Sequence, residues 1–184
     1  MKDLSNRDLI QRDILDFSYD STNDLKEQSK IKNVLLTGST GFLGRYLLDA
    51  LLSYTDANIY CLVRAKNAAE IKDKLNQKLR ESDLVFNKER IYLVLGDLHA
   101  ENLGIADDEL RFLEENIDSI YHCGAFVHHL YPYEVLRRDV VATNFLIDFS
   151  TKRKEKQLHY ISTMNISNAY QDIWRPAILS LIHI

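Results

Sequence analysis

Cysteine is scarce in this chain of 184 residues, glycine numbers only six, and no one sign of charge dominates. Two cysteines cannot build a disulfide framework. Cys61 and Cys123 each sit inside an apolar run with no metal-ligand spacing, which predicts buried, reduced thiols and a cytoplasmic setting. Lys and Arg total 23 against 27 Asp and Glu, for a formal net charge of -4. That balance neither recruits nucleic acid nor marks an acidic tail, so a small-molecule or protein-tethered substrate is expected. No charged-then-apolar signal segment opens the chain, and no apolar run approaches the roughly 20 residues of a membrane span. A soluble protein without membrane or nucleic-acid partners is the expectation. The length suits a single domain, and 46% hydrophobic residues suffice for a core.

What is present falls into two unequal parts. Residues 1–30 are polar, rich in Asp, Ser and Asn, with scattered apolar positions such as Leu9, Ile10, Ile14, Leu15 and Phe17, a pattern that predicts a short helix and a linker. From Asn33 onward, short β-branched or leucine-rich runs alternate with longer amphipathic stretches. This alternation is the mark of βα units around a parallel sheet, a doubly wound Rossmann-type α/β fold. Strands are predicted over Asn33–Thr37, Asn58–Val63, Ile91–Leu95, Ser119–His122 and His159–Ser162. Helices are predicted over Phe42–Tyr54, where leucines recur at helical spacing, over Ala68–Ser82, where Ile71, Leu75 and Leu79 stand four apart, and over Glu134–Thr151. The last helix ends in Lys152, Arg153, Lys154 and Lys156, cations suited to the carboxyl end of a helix dipole and expected to need no other partner. There is no internal repeat and no low-complexity tract.

The first strand runs straight into Thr37-Gly38-Ser39-Thr40-Gly41-Phe42-Leu43-Gly44, so half of all the glycines fall within seven residues at a strand-to-helix junction. Glycines there permit a tight turn, close backbone approach to a pyrophosphate and close packing of helix on sheet, while the helix amino terminus offers N–H groups to phosphate. In a sheet of this kind every residue just beyond a strand is a candidate ligand contact. The second strand ends in Arg64, where NAD-preferring sites carry an acid, and a guanidinium suits the 2′-phosphate of NADPH; a plain surface arginine is the alternative. The third ends at Gly96-Asp97-Leu98, where Asp97 could accept from an adenine amino group or simply close an Asx turn. Beyond the fourth come Cys123-Gly124-Ala125, small enough to let a cofactor lie against the backbone. Beyond the fifth come Ser162 and Thr163, either of which could donate to a substrate carbonyl oxygen or be an ordinary polar strand end. His122, His128 and His129 lack metal-ligand companions and are read as loop or packing residues.

Taken as a series, these strand ends resemble the thioester reductase domains of nonribosomal peptide synthetases and the related carboxylic acid and fatty acyl-CoA reductases, within the extended short-chain dehydrogenase/reductases. The resemblance rests on Val34–Leu48, on Cys61–Ala65, on Gly96–Leu98 and above all on Tyr121-His122-Cys123-Gly124-Ala125-Phe126-Val127 leading into Leu130-Tyr131-Pro132-Tyr133-Glu134-Val135-Leu136, followed by Leu158–Thr163. It reaches to about residue 168, which would make 31–168 an incomplete NAD(P)-binding domain. In such enzymes NADPH delivers hydride to an acyl or peptidyl thioester held on a carrier protein's phosphopantetheine arm, and the hemithioacetal collapses to an aldehyde that is sometimes reduced to an alcohol. The resemblance implies that Thr40, Gly41, Phe42 and Leu43 hold the pyrophosphate and Arg64 the 2′-phosphate, with Lys74 as a second basic contact unless it is only a solvated helix residue. It further implies that Asp97 and Leu98 flank the adenine, that Cys123, Gly124 and Ala125 lie beside the ribose, and that Thr163, or else Ser162, is the hydroxyl participant.

The chain departs from the family in carrying His128 where Asn is usual, and Asp139-Val140-Val141-Ala142-Thr143 where Asn-Val-x-Gly-Thr is usual. None of its ten tyrosines has a lysine four residues later, so the family's proton-donating Tyr and its companion Lys are absent. Truncation after about five strands is the expected reason, with 169–184 an irregular end. Residues 179–184, Leu-Ser-Leu-Ile-His-Ile, match the translation of a transposon end used in sequencing libraries and are expected to be adapter-derived. Two alternatives share the same features: another extended reductase or epimerase acting on nucleotide sugars or steroids, and a non-catalytic dinucleotide-binding module.

Overall fold

A computed structural model of the chain describes residues 6–15, 30–80, 88–126 and 131–162. In chain order the elements are α1 (Asn6–Leu15), β1 (Asn33–Thr37), α2 (Phe42–Tyr54), β2 (Asn58–Val63), α3 (Ala68–Arg80), β3 (Ile91–Leu95), α4 (Asp107–Asn116), β4 (Ser119–His122), α5 (Tyr133–Thr151) and β5 (Gln157–Tyr160). The five strands form one sheet in the order β3-β2-β1-β4-β5, and every neighbouring pair is parallel. Strand order therefore reverses between β1 and β4, which opens a crevice beyond their carboxyl ends.

Strands buried on both faces must be apolar throughout, and β1 is buried from Val34 to Thr37. Its alternate side chains feed two cores. Val34 and Leu36 join Leu48, Leu51 and Leu52 of α2 and Ile71 and Leu75 of α3 on one face. Leu35 joins Leu110 and Leu113 of α4, Ile117, and Leu146 and Phe149 of α5 on the other. Helices on both faces make the sheet doubly wound, as the alternation of runs predicts.

Three features depart from the sequence expectation. Helix α4 is not among the elements that the apolar spacing predicts. Strand β5 begins and ends two residues earlier than expected, because its register starts where β4 starts, Ser119 opposite Gln157. And the short helix expected in the polar amino-terminal segment, α1, does not stand apart from the domain: the buried carboxylate of Asp13 accepts from Arg137 Nε at 2.8 Å and from the Tyr133 hydroxyl at 2.8 Å, docking α1 on α5. No described helix is long and apolar enough to cross a membrane.

Candidate functional site

All five parallel strands end at one rim, so the described residues singled out beyond them share that edge of the sheet. Gly38 has φ of 75°, a left-handed conformation that favours glycine, and a Cβ placed there would stand 2.6 Å from the backbone nitrogen of Gly124. The backbones beyond β1 and β4 thus cross in near contact at the switch point. A Cβ on Gly44 would run into the Gly38 carbonyl oxygen, so α2 packs tightly onto the turn. Gly41 caps α2 without a side-chain hydrogen bond, and the helix has no acid in its first turn. Its leading N–H groups, which have no intrahelical acceptors, carry the partial positive end of the helix dipole. Ser39 is buried, Thr40 half-buried, and Phe42 and Leu43 stand exposed over the corner.

The second cluster lies beyond β2 and β3. Arg64 is exposed and its Nη1 sits 3.8 Å from Asp97 Oδ2, while Lys74 Nζ donates to the Arg64 carbonyl at 2.8 Å. Asp97 Oδ1 accepts from the His99 N–H at 3.0 Å, so the Asx turn is real. Leu98 reaches across to Gly124, whose Cβ position its side chain would block. Cys123 Sγ lies 2.9 Å from the Thr37 carbonyl oxygen, and burial pushes its thiol up to about 11, so it is not a nucleophilic thiolate at neutral pH. Ala125 and Ser162 are exposed, Ser162 two residues beyond β5. Thr163, like His128 and His129, lies outside the described residues.

Sequence reasoning undervalued one residue and missed its partners. His122 is buried in β4, with Nδ1 2.7 Å from Thr37 Oγ1 and Nε2 3.3 Å from Thr143 Oγ1. The Thr143 hydroxyl donates to the Asp139 carbonyl at 2.8 Å, so its oxygen is left to accept from His122 Nε2–H. Nδ1 then accepts from the Thr37 hydroxyl, whose oxygen accepts the Gly124 N–H at 3.2 Å. Burial lowers the imidazole to about 4 against a weaker opposing pull from Asp139, which keeps it neutral. The result is a directed chain from Gly124 to α5 that sets the backbone spacing of the crevice. The signal available in sequence was the placement of Thr37 and His122 as the last residues of strands that had to be neighbours.

A strand-to-helix corner with uncapped amides, a backbone crossing too tight for any side chain, and a guanidinium beyond the next strand suit a dinucleotide lying across the rim. The NAD-binding family described as male sterility protein matches residues 36–179. The chain is 40% identical over 141 residues to a linear gramicidin synthase polypeptide of Brevibacillus parabrevis, an alignment covering 75% of this chain and 3% of that protein. It is 31% identical over 166 residues to the L-2-aminoadipate reductase large subunit of Candida glabrata, covering 84% of this chain and 12% of that one. Among solved structures, the terminal R domain from the myxalamid PKS-NRPS biosynthetic pathway superposes with a TM-score of 0.72 at 40% identity, covering 76% of this chain and 37% of that one. A reductase domain of a nonribosomal peptide synthetase from Mycobacterium tuberculosis superposes with a TM-score of 0.66 at 32% identity, covering 79% and 37%. The chain thus spans little more than a third of these solved domains, and on its sequence and its fold it belongs to the NAD-binding male sterility protein family, alongside the reductase domains of nonribosomal peptide synthetases.

Proposed function

We propose that the chain binds NADPH across the carboxyl-terminal rim and forms the cofactor-binding part of an enzyme that reduces an acyl or peptidyl thioester, held on a carrier protein's phosphopantetheine arm, to an aldehyde or alcohol. The carrying observation is the corner itself: the Gly38–Gly124 crossing beside the uncapped amino terminus of α2. Residues Thr40, Gly41, Phe42 and Leu43 hold the pyrophosphate through backbone N–H groups. Arg64 takes the 2′-phosphate, with Lys74 behind it. Its link to Asp97 is between solvent-exposed groups and is worth only about 0–1 kcal/mol, so a phosphate displaces it at little cost. Asp97 and Leu98 face the adenine, and Cys123, Gly124 and Ala125 lie along the ribose. When bound, NADPH supplies the hydride. Thr163 or Ser162 donates a hydrogen bond to the carbonyl oxygen as charge develops there. The chain contains no Tyr-x-x-x-Lys, so by itself it lacks a placed proton donor, a deficit of about 10² to 10⁴ in rate. The 184 residues alone bind cofactor and do not turn over.

Fluorescence titration with NADPH and NADH tests the reading. NADPH is expected to bind at least about tenfold more tightly, and Arg64→Ala to bring the two within about threefold by removing one charge-assisted contact. Equal affinities in the unmodified chain would overturn the NADPH assignment.

A further inference from the structure

The loop after β3 is unusual in its backbone. Asn102, Leu103 and Gly104 have φ of 51°, 56° and 60°, three consecutive residues in left-handed conformation, of which two carry side chains. Asn tolerates left-handed backbone, but it is unfavourable for a leucine and persists at Leu103 because surrounding contacts impose it. Leu103 is driven into the core, and its carbonyl oxygen accepts the Asp97 N–H at 2.7 Å. The strained turn is therefore what holds the backbone at Asp97.

Beneath, Leu98 and Leu103 share one apolar core with Phe145, Leu146 and Phe149 of α5; above that core the loop and α5 part. A groove of about 470 Å³ separates them, lined by His99 and Leu103 on one side and Arg138, Val141 and Phe145 on the other. Across it runs a polar tie. His99 Nε2–H donates to Asp139 Oδ1 at 2.8 Å, and Asp139 Oδ2 accepts the backbone N–H of Phe126 at 3.0 Å. The Phe126 ring is in turn covered by the Arg138 guanidinium, 4.3 Å from its centroid. One carboxylate thus joins the loop beyond β3 to the loop beyond β4. Those loops carry Asp97 and Leu98 on one side and Cys123, Gly124 and Ala125 on the other.

We propose that Asp139 is a positioning residue: through His99 and Phe126 it fixes the separation of the two loops that receive the adenylate half of the dinucleotide. The inference rests on the NADPH reading above. Its test compares the 184-residue chain with Asp139→Ala, Asp139→Asn, His99→Ala, the Asp139→Ala/His99→Ala double variant, and Arg64→Ala as control. NADPH affinity and the exchange rate of the Asp97 amide are the readouts. Asp139→Ala and His99→Ala are each expected to weaken NADPH about tenfold and to speed Asp97 exchange. The double variant should lose no more than Asp139→Ala alone, because that change already cuts the bond to His99. Asp139→Asn should recover to within about threefold, its carbonyl accepting from Phe126 and its amide donating to the other tautomer of His99. Unchanged NADPH affinity and unchanged Asp97 exchange in Asp139→Ala, with Arg64→Ala still weakened, would overturn the tie and leave the NADPH reading standing. Failure of the unmodified chain to bind NADPH would overturn that reading and the positioning role together. Should Asp139→Ala not fold, additive losses of affinity in Asp139→Asn combined with His99→Ala would be enough to reject the proposal.

Discussion

The two rims of the sheet are built on opposite rules. At the amino-terminal rim, charged side chains bind the chain's own backbone and one another. The Asp118 carboxylate accepts from the N–H groups of Lys32 and Asn33 at 2.8 and 2.9 Å and from Lys154 Nζ, binding the starts of β1, β4 and β5 together. The Arg90 guanidinium donates to the carbonyls of Leu52, Thr55 and Ala57, closing the end of α2 onto β2. Buried Glu114, at the end of α4, holds Lys152 and Arg153 at 2.7 Å each. At the carboxyl-terminal rim, glycines line the β1–β4 crossing, α2 begins without a side-chain cap, and large apolar side chains such as Phe42 remain exposed. Closed networks stabilise a fold, whereas uncapped donors at a tight backbone crossing fit a ligand. On the NADPH reading proposed above, the difference separates stability at one end of the strands from cofactor binding at the other.

The largest effect that would test this division comes from filling the crossing. Gly38→Ala would adopt an unfavourable φ and push against the Gly124 backbone nitrogen 2.6 Å away, which neither a rotamer change nor a flexible side chain can relieve. Loss of NADPH binding by more than about 100-fold is expected, equivalent to roughly 3 kcal/mol. Titration of the folded variant would read this directly, and wild-type affinity would break the assignment of the crossing to the cofactor.

The reciprocal change at the other rim should spare binding. Burial raises the Glu114 carboxyl, but the hydrogen bonds and charges of Lys152 and Arg153 outweigh it and hold the group below its usual range. Lys152→Ala/Arg153→Ala strands that buried charge. Breaking a buried pair so that one charge is left uncompensated costs about 3 kcal/mol, a fall in Tm of roughly 6–12 °C for a domain of this size. Glu114→Ala should cost less, because the cations it abandons are half-exposed and can be solvated. Thermal unfolding of the two variants with and without NADPH would check the order. An unchanged Tm in the double variant would show that this rim is not a stability element.

How much of this was legible in the sequence follows from the range of the forces involved. The bounds of β1, β2, β3, β4 and α2 could be read because burial imposes a local pattern on them. Helix α4 could not, since its ten residues carry only three strongly apolar positions, Leu110, Phe112 and Leu113, among dense charge. Missing α4 also hid the partner of the basic cluster after α5. Lys152, Arg153 and Lys154, expected to need no partner beyond the helix dipole, are ion-paired to Glu114 and Asp118. Lys156, from the same cluster, is buried with its Nζ donating to the carbonyls of Lys152 and Lys154. The glycine corner was legible because a turn's chemistry is local. The His99–Asp139 tie was not, since it spans 40 positions and depends on a left-handed turn that no composition announces.

Acid should separate the rims by the pH at which each fails. His122 is lowered to about 4 in the folded chain from an ordinary 6.5, chiefly by burial. Unfolded chains take up this proton as pH falls below 6.5 while folded ones resist until about 4, so stability drains away across that window. At about pH 5.5 the loss is about 1.4 kcal/mol, from one unit of incomplete protonation. His159, also lowered by burial, adds to the same window. The amino-terminal rim behaves later. For Asp118, burial raises the carboxyl but Lys154 and the two backbone N–H groups outweigh it, so its net shift is downward like that of Glu114. Stability from both carboxylates is intact above their ordinary values near 4 and is lost only below. Denaturant melts between about pH 7.5 and 3.5 should therefore show two stages, and His122→Asn should remove most of the first while leaving the second in place. A single transition below about pH 4.5, unchanged by His122→Asn, would mean that the neutral imidazole does not govern the crevice end of the sheet.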